Sequence, residues 1–355
     1  MEYRRNLFEK IYVLFAVLFT FLKKEIVIGR NSINPKRLFL LFRGFYSKRN
    51  IPYDLSRWGY KSYISDFEQL KLTYVNYPYS KLLRNKYVFS IFFKEYFKTT
   101  DTFCLIDNSK ILPVNKDYYV NDVKGLLNLL VNQNKLILKP NMSSRGQGIY
   151  LIEYHDSVFE VNGEIWDKQK LEKFFIGLKN YIVTEFVEQG SFTKSFFSRT
   201  TNTLRINSFY NPLTNTAFIK QAYLRIGTTQ TIPVDNISKG GVFSFIETET
   251  GMLKEVFKIN PDKTILKLAV HPESNMQITG KTLPHWGIIQ TSILKTAQII
   301  GPIIKIVGWD VIIRDDDFIV LEGNNGPDFT QQGSEYPIAT DKEVLDFLIS
   351  VKVRK

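Results

Sequence analysis

The stretch KLILKPNMSSRGQGIYLIE, residues 135–153, decides the reading of this chain. An apolar run (Leu136, Ile137, Leu138) ends in Lys139-Pro140. A small, Gly-rich turn follows (Ser143, Ser144, Gly146, Gly148), and a second apolar run starts at Ile149. The pattern predicts strand, flexible loop, strand, with a turn too short and too rich in Gly for anything but a hairpin. Backbone N–H groups in such a turn can approach an anion closely, and Lys139 adds a fixed positive charge beside them. The turn is not a Walker A loop, because no Gly-Lys-Ser/Thr follows. Nor is it a dinucleotide fingerprint, because the third Gly is missing and a strand follows where a helix should. A Gly hairpin with a nearby Lys also fits a plain tight turn, so the rest of the chain has to decide.

At 355 residues the chain can bury a full core and divide into two or three lobes. With 44% apolar and 23% charged residues it has the composition of a globular protein. Of the net charge of +12, a +8 share falls on residues 1–50, which hold eleven Lys/Arg against three Glu. A basic excess confined to one end predicts a surface for anionic lipid or another polyanion, and argues against a nucleic-acid protein. Cys104 stands alone, which excludes a disulfide framework and a thiolate metal site and fits a reducing compartment.

Residues 7–22, LFEKIYVLFAVLFTFL, are flanked by Arg4, Arg5, Lys23 and Lys24. At ~1.5 Å per residue this stretch falls short of a bilayer's ~30 Å hydrocarbon core. Lys23-Lys24-Glu25 offers no small residues for signal cleavage. Two readings stay open: a helix lying in the membrane interface, gripped by its basic flanks, or a buried helix or partner interface. Residues 50–80 are rich in Trp and Tyr and predict a small helical subdomain whose aromatics form core. Asn85-Lys86 opens a helical run through Val88, Phe89, Phe92 and Phe93. Helical spacing returns over Trp166–Asn180, and a strand is predicted over Tyr181–Glu188. Further strands are predicted over 202–209, 217–226, 241–248, 306–314 and 318–322, with a helix over Ile288–Ile300. The class is α+β.

The last two strands form a hairpin around Asp315-Asp316-Asp317, which read as solvated turn residues. Glu322 and Asn324 share one strand face, and Asp310 can lie opposite them. Two carboxylates and an amide oxygen suit Mg²⁺, which takes its other ligands from water and phosphates. The alternative is a set of polar strand ends; carboxylates inside such apolar strands are costly without a partner. Arg205 and Arg225 lie mid-strand, where they could pair with a carboxylate or neutralise phosphoryl or carboxylate oxygens. His155, His271 and His285 lack ligand spacing, and His271 reads as structural.

In this order the elements resemble an ATP-grasp enzyme, most closely the sugar-transfer-associated ATP-grasp proteins related to α-L-glutamate ligases. The resemblance runs from about Trp58 to Pro337. It is carried by Lys86, Lys139-Pro140 with Ser143–Gly148, Glu185-Phe186-Val187, Asn202–Arg205, Arg225, Asp235-Asn236 with Gly240-Gly241, Gly308-Trp309-Asp310 and Glu322-Gly323-Asn324. It implies ATP between two lobes, with Lys86 and Lys139 at the phosphates or adenine edge. The Ser143, Ser144, Gly146, Gly148 loop would close over the triphosphate. Glu185, Phe186 and Val187 would hold adenine, and Glu188 the ribose. Arg225 would grip the γ-phosphate, Asp310, Glu322 and Asn324 would hold Mg²⁺, and Arg205 with the Asn236, Gly240, Gly241 loop would face the acceptor. Arg225, Arg205 and Asn236 are thus the implied catalytic residues.

The implied chemistry is carboxylate phosphorylation by ATP, then attack of an amine on the acylphosphate. The expected partners are a small-molecule or glycan acid of a cell-surface polysaccharide such as a capsule, an amine, and an anionic membrane surface at residues 1–50. No nucleic acid is expected. The location implied is the cytoplasm, peripheral at the inner face of the membrane. A kinase of the same parts and a non-catalytic nucleotide-binding module are the alternatives. The expected divisions are a helical region over 1–80, a first lobe with the Gly-rich loop over 81–188, and a second lobe with the metal site over 189–355. Three departures stand out. Ser143 replaces a Gly common in the loop, Thr203 stands where many relatives carry Asp two before the Arg, and no Rossmann-like lobe precedes Lys86.

Overall fold

The computed structural model describes residues 6–29, 36–49, 52–143, 146–333 and 337–354. Four helices open the described chain: α1 (Leu7–Gly29), α2 (Arg37–Phe42), α3 (Leu55–Trp58) and α4 (Asp66–Leu72). The aromatics here are core, as the sequence predicts: Phe45, Tyr53 and Tyr63 are buried together, with the two Tyr rings stacked at 4.6 Å. α1 is buried along one side only. One stripe, including Val17 and Phe21, packs on Tyr46, Phe67 and Leu70, while the opposite side is exposed.

α5 (Lys81–Arg84) and α6 (Lys86–Phe93) lead into the first lobe. Its strands are β1 (Thr102–Asp107), β2 (Lys110–Pro113), β3 (Lys135–Pro140), β4 (Tyr150–His155), β5 (Val158–Val161), β6 (Glu164–Trp166) and β7 (Tyr181–Glu185). They form one antiparallel sheet in the order β2-β1-β7-β3-β4-β5-β6. The decisive hairpin is β3–β4, in which Lys135 faces Glu153 and Leu138 faces Tyr150. α7 (Val123–Gln133) and α8 (Lys168–Gly177) bury Leu126, Leu130, Leu171 and Phe175 against the sheet. That burial follows the apolar spacing of both helices.

After α9 (Ser191–Phe196) comes the second sheet: β8 (Leu204–Asn211), β9 (Thr216–Ile226), β10 (Val242–Ile246), β11 (Leu253–Ile259), β12 (Ile265–Leu268), β13 (Ile306–Ile313) and β14 (Phe318–Asn324). Its order is β12-β11-β10-β9-β8-β13-β14, again antiparallel. α10 (Trp286–Ile300) and the aromatic side of α6 cover one face, with Phe93 edge-on to the buried Trp309 at 5.3 Å. α11 (Lys342–Ser350) packs at one end of the other face through Phe347, against Phe209 and Phe218. Across β8, β13 and β14 the rest of that second face is polar, while Tyr223, Phe243, Phe245 and Phe257 form an apolar cluster on its β9–β11 part.

The first lobe enters and leaves through two adjacent segments. On the way in, the Lys98 carbonyl accepts the Val320 amide at 2.9 Å; on the way out, the Gly190 amide donates to the Ile313 carbonyl at 2.8 Å. Both anchors lie on the β13–β14 hairpin. Asp101 and Glu185 tie the two segments together, Glu185 N to Asp101 O at 3.1 Å and Asp101 N to Glu185 Oε1 at 2.9 Å. The strand predicted to Glu188 therefore ends at Glu185, because the next residues turn onto the second sheet. There Val187 is buried with Ile312 and Ile319.

Candidate active site

Lys86 begins α6, whose first turn is capped by the Asn85 side chain accepting Val88 N at 2.9 Å. α5 and α6 press closely on β14: a methyl added at Gly323 would come 2.8 Å from Leu83 and 2.9 Å from Phe89. That contact sets Lys86 at the junction of the lobes. Its ammonium donates to the Ser143 carbonyl at 2.7 Å and lies 3.4 Å from Glu322 Oε2. One side chain thus ties the Gly-rich hairpin of the first sheet to the acidic strand of the second.

Lys139 points into the same space. It is buried and, among the described residues, its ammonium donates no hydrogen bond and forms no ion pair. Burial pulls its pKa down to about 8; Glu322 and Glu185 oppose that, and Lys86 adds to it. A desolvated, unpaired ammonium is costly by itself and gains strongly from a neighbouring anion. The turn beyond it carries Gly146 and Gly148 at φ +64° and +70°, where a side chain would be strained. A methyl at Gly148 would come 2.7 Å from the Tyr181 hydroxyl, and one at Gly146 would come 3.4 Å from Val234. The hairpin tip therefore rests on the loop that carries Asn236, Gly240 and Gly241. Ser143 Oγ donates weakly to the Pro140 carbonyl at 3.5 Å; Ser144 lies outside the described residues.

Across the polar face of the second sheet, register aligns Glu322, Asp310, Arg205 and Tyr223 on β14, β13, β8 and β9. The next row holds Asn324, Gly308, Asn207 and Gln221. Residues directly opposite in such a ladder share a face, so both rows look into the cleft. Asp310 is the hub. It accepts from Arg205 through Nε and through Nη2 at 3.1 Å, and from Arg225 Nη2 at 3.1 Å. Burial pushes its carboxyl up, but the guanidinium groups of Arg205 and Arg225 outweigh burial and hold it below the usual carboxylate range. Tyr223, beside them, is pushed up to about 12 by burial.

Arg225 also donates to Thr203 Oγ1 at 3.0 Å and lies 3.4 Å from Asp235. Asp235 in turn accepts from Thr203 N at 2.8 Å and Thr203 Oγ1 at 2.5 Å. Burial raises the Asp235 pKa against the pull of Arg225. The carboxylate that Thr203 does not supply thus reaches the arginine from a loop. The sequence puts Asp235 in that loop without indicating a role, because a long-range pairing has no local signature. Asn207 was missed as well: it is fully buried, donates to Gln221 Oε1 at 2.7 Å, and its own oxygen accepts nothing.

At the crossing between lobes, Glu185 is half-buried and its pKa is raised, mainly by burial. Phe186 lies under the Lys135 ammonium, 5.1 Å from the ring centroid. Glu188 is exposed and paired with Lys194 at 2.6 Å. Asn236 caps its own turn by accepting Ser238 N at 2.9 Å, and its carbonyl takes the Gly241 amide at 3.2 Å. His271 is satisfied inside the fold, Nε2 to the Gly227 carbonyl at 2.8 Å, in keeping with a structural part.

No group of three or more His, Cys, Asp or Glu among the described residues is arranged to hold a metal ion. A hard cation fits the donors that remain. Glu322 is partly exposed and Asn324 donates only through its nitrogen, to the Gly308 carbonyl at 3.2 Å, so that oxygens of both are available. Asp310 could join them only by giving up guanidinium contacts. A cavity of about 330 Å³ opens farther along the same sheet, lined by Gln221, Phe245, Trp58 and Asp341.

Among solved structures the chain is similar to a D-alanine–D-alanine ligase from Bacillus anthracis (12% identity, TM-score 0.39, covering 77% of this chain and 70% of that one). It is also similar to the ATP-grasp ligase PsnB complexed with minimal precursor (10%, 0.40, 78% and 64%). A third likeness is to the ADP complex of N5-carboxyaminoimidazole ribonucleotide synthetase (7%, 0.39, 70% and 46%). The chain thus spans from about half to about two thirds of the length of these structures. No curated protein matches it. The model of one sequence family, sugar-transfer associated ATP-grasp, matches residues 67–337. That stretch includes both sheets and every residue of the cleft, and the chain belongs to the sugar-transfer associated ATP-grasp family.

Proposed function

We propose that the chain is an ATP- and Mg²⁺-dependent carboxylate–amine ligase that amidates a sugar acid or related acid in cell-surface polysaccharide biosynthesis. The observation that carries the reading is the pair of ammonium groups at the lobe junction: Lys86 bridges the Gly hairpin to Glu322, and Lys139 is buried with no partner among the described residues. A polyphosphate is the ligand that such a pair would stabilise most. Family membership supports ATP as that polyphosphate, and the family's description supports a sugar-linked acid.

The acceptor carboxylate attacks the γ-phosphorus, and the bond to the β-phosphate oxygen breaks, giving an acylphosphate and ADP. An amine then attacks the acyl carbon, phosphate leaves, and the amine gives up a proton. Arg225 and Arg205, already held side by side by Asp310, neutralise the developing phosphoryl and carboxylate charge. The hairpin 143–148 covers the triphosphate, and Glu185, Phe186, Val187 and Glu188 line the nucleoside end. Asn236, Gly240 and Gly241 border the acceptor, for which the cavity beside Gln221 provides room. Glu322 and Asn324 would hold Mg²⁺, with Asp310 joining them only on releasing a guanidinium, and the ion would screen the phosphate oxygens. Positioning and charge neutralisation supply the rate, so no protein nucleophile is needed. We place the reaction in the cytoplasm, at the inner face of the membrane.

ADP release measured across a panel of sugar acids with amino acids and amines tests the reading. The expected product has lost one water relative to acid plus amine, with one phosphate released. A phosphoester product would replace the ligase with a kinase. Absence of Mg-ATP binding would leave only a non-catalytic module.

A further inference from the structure

The N-terminal helix carries a surface for which the chemistry has no use. α1 is 23 residues long and buries only a stripe against the body. At ~100° per residue, the side chains opposite that stripe are Phe8, Phe15, Phe19, Leu22 and Ile26. All are exposed, with Phe8 at 83%, Phe15 at 65% and Phe19 at 70%. Phe39 and Phe42 of α2 are exposed too. An apolar face this continuous is rare on a monomeric protein unless something covers it.

Charge indicates what the cover is. Residues 1–50 hold eleven Lys/Arg against three Glu, and Lys10, Lys23 and Lys24 on α1 are exposed. The Arg43 guanidinium lies 3.7 Å over the Phe39 ring, so apolar and cationic groups are interleaved. A second copy of the chain would bring the same positive excess against itself, whereas an anionic bilayer offers the opposite sign. The attachment of α1 also fixes its orientation. Glu25 is buried and accepts Arg37 Nε at 2.9 Å and Ser47 N at 3.0 Å, so the helix lies along the body. Standing upright in a bilayer would carry that ion pair into hydrocarbon. No helix among the described residues is long and apolar enough to cross a membrane.

We propose that the outer face of α1, together with Phe39 and Phe42, lies in the interface of an anionic lipid bilayer. The aromatic rings sit at the headgroup–acyl boundary, and Lys23 and Arg43, beside them, sit among the phosphates. This assigns the surface behind the membrane placement above and requires nothing of the ligase chemistry, since no cleft residue takes part.

The test is cosedimentation of the full chain with vesicles of phosphatidylcholine alone or mixed with phosphatidylglycerol, at low and high salt. Expected is binding to the mixed vesicles that is about tenfold or more stronger than to phosphatidylcholine and weakens with salt. The triple variant Phe8→Ser, Phe15→Ser, Phe19→Ser should lose about tenfold or more of that binding, while its circular dichroism and Mg-ADP affinity stay unchanged. In a separate variant, Phe15→Trp, tryptophan emission should shift to the blue on adding the mixed vesicles. No sedimentation with either vesicle, or equal sedimentation of the triple variant, would overturn the proposal. So would a dimer in light scattering that the triple variant dissociates, because the face would then belong to a second copy.

Discussion

The Lys86 ammonium and the Glu322 carboxylate meet at 3.4 Å where α6 crosses the end of β14. The ammonium is buried and the carboxylate partly exposed. The consequence of the pair is geometric: the same ammonium holds the Ser143 carbonyl, so the hairpin and the acidic strand are kept at one fixed separation.

Replacing Lys86 with Met should therefore weaken nucleotide binding by roughly ten- to hundredfold, the value of one or two charge-assisted contacts. The fold should persist, since α6 is anchored by Phe89 and Phe93. Calorimetric titration with Mg-ADP, alongside circular dichroism, checks both halves. An unchanged affinity would remove Lys86 from the site.

Asp310 and Glu322 should separate when each is neutralised. Asp310→Asn leaves the Arg205 and Arg225 guanidinium groups buried without their shared counter-charge. A loss of about 3–5 kcal/mol of stability is expected in thermal or urea unfolding. Glu322→Gln should change stability by less than about 1 kcal/mol yet abolish turnover, because Glu322 is partly exposed and is offered as a cation ligand. Retained turnover in that variant would end its assignment as a ligand.

Lys139 gives the pH dependence a sign. With its pKa at about 8 in the fold against 10.5 for the free group, the unfolded chain binds more protons between those values. Stability of the protein alone should rise with pH across that window. Affinity for Mg-ADP should fall across the same window, as the ammonium that meets the phosphates is lost. Binding and unfolding measured from pH 7 to beyond 9 should thus move in opposite directions, and Lys139→Met should flatten both curves. A Kd that does not change over this range would sink the assignment.

Gly148→Ala tests the hairpin. The position has φ +70°, and the added methyl would press on Tyr181 and Pro140. A cost of about 1–2 kcal/mol is expected. It should appear in unfolding curves together with a raised KM for ATP. Wild-type values for both would mean that the turn is loosely held.

Much of this arrangement was legible in the chain because it is local. Residues 135–153 hold two short apolar runs around a Gly-rich turn, as a hairpin must, and the observed pairing of Lys135 with Glu153 follows. The β13–β14 hairpin around residues 315–317 was equally plain, and with it the shared face of Asp310, Glu322 and Asn324. β11 and β12 escaped notice, because their Lys- and Glu-rich sequences keep half their side chains in solvent and blur the apolar signal. Asp235 and Asn207 acquire meaning only from β8–β9 register and from a loop returning over it. The two guanidinium groups converging on Asp310 are likewise long-range. Nothing in the sequence near Asp310 announces that it faces two arginines before it faces a cation.

The anchoring of both crossing segments to one hairpin has a mechanical outcome. Lys98 is fastened at Val320 and Gly190 at Ile313, and Asp101 and Glu185 are latched to each other between them. The strand pair that carries Glu322 is thus also the mooring of the whole first sheet, so a substitution that loosens β13 or β14 would disturb both the acidic row and the placement of the Gly-rich turn above it.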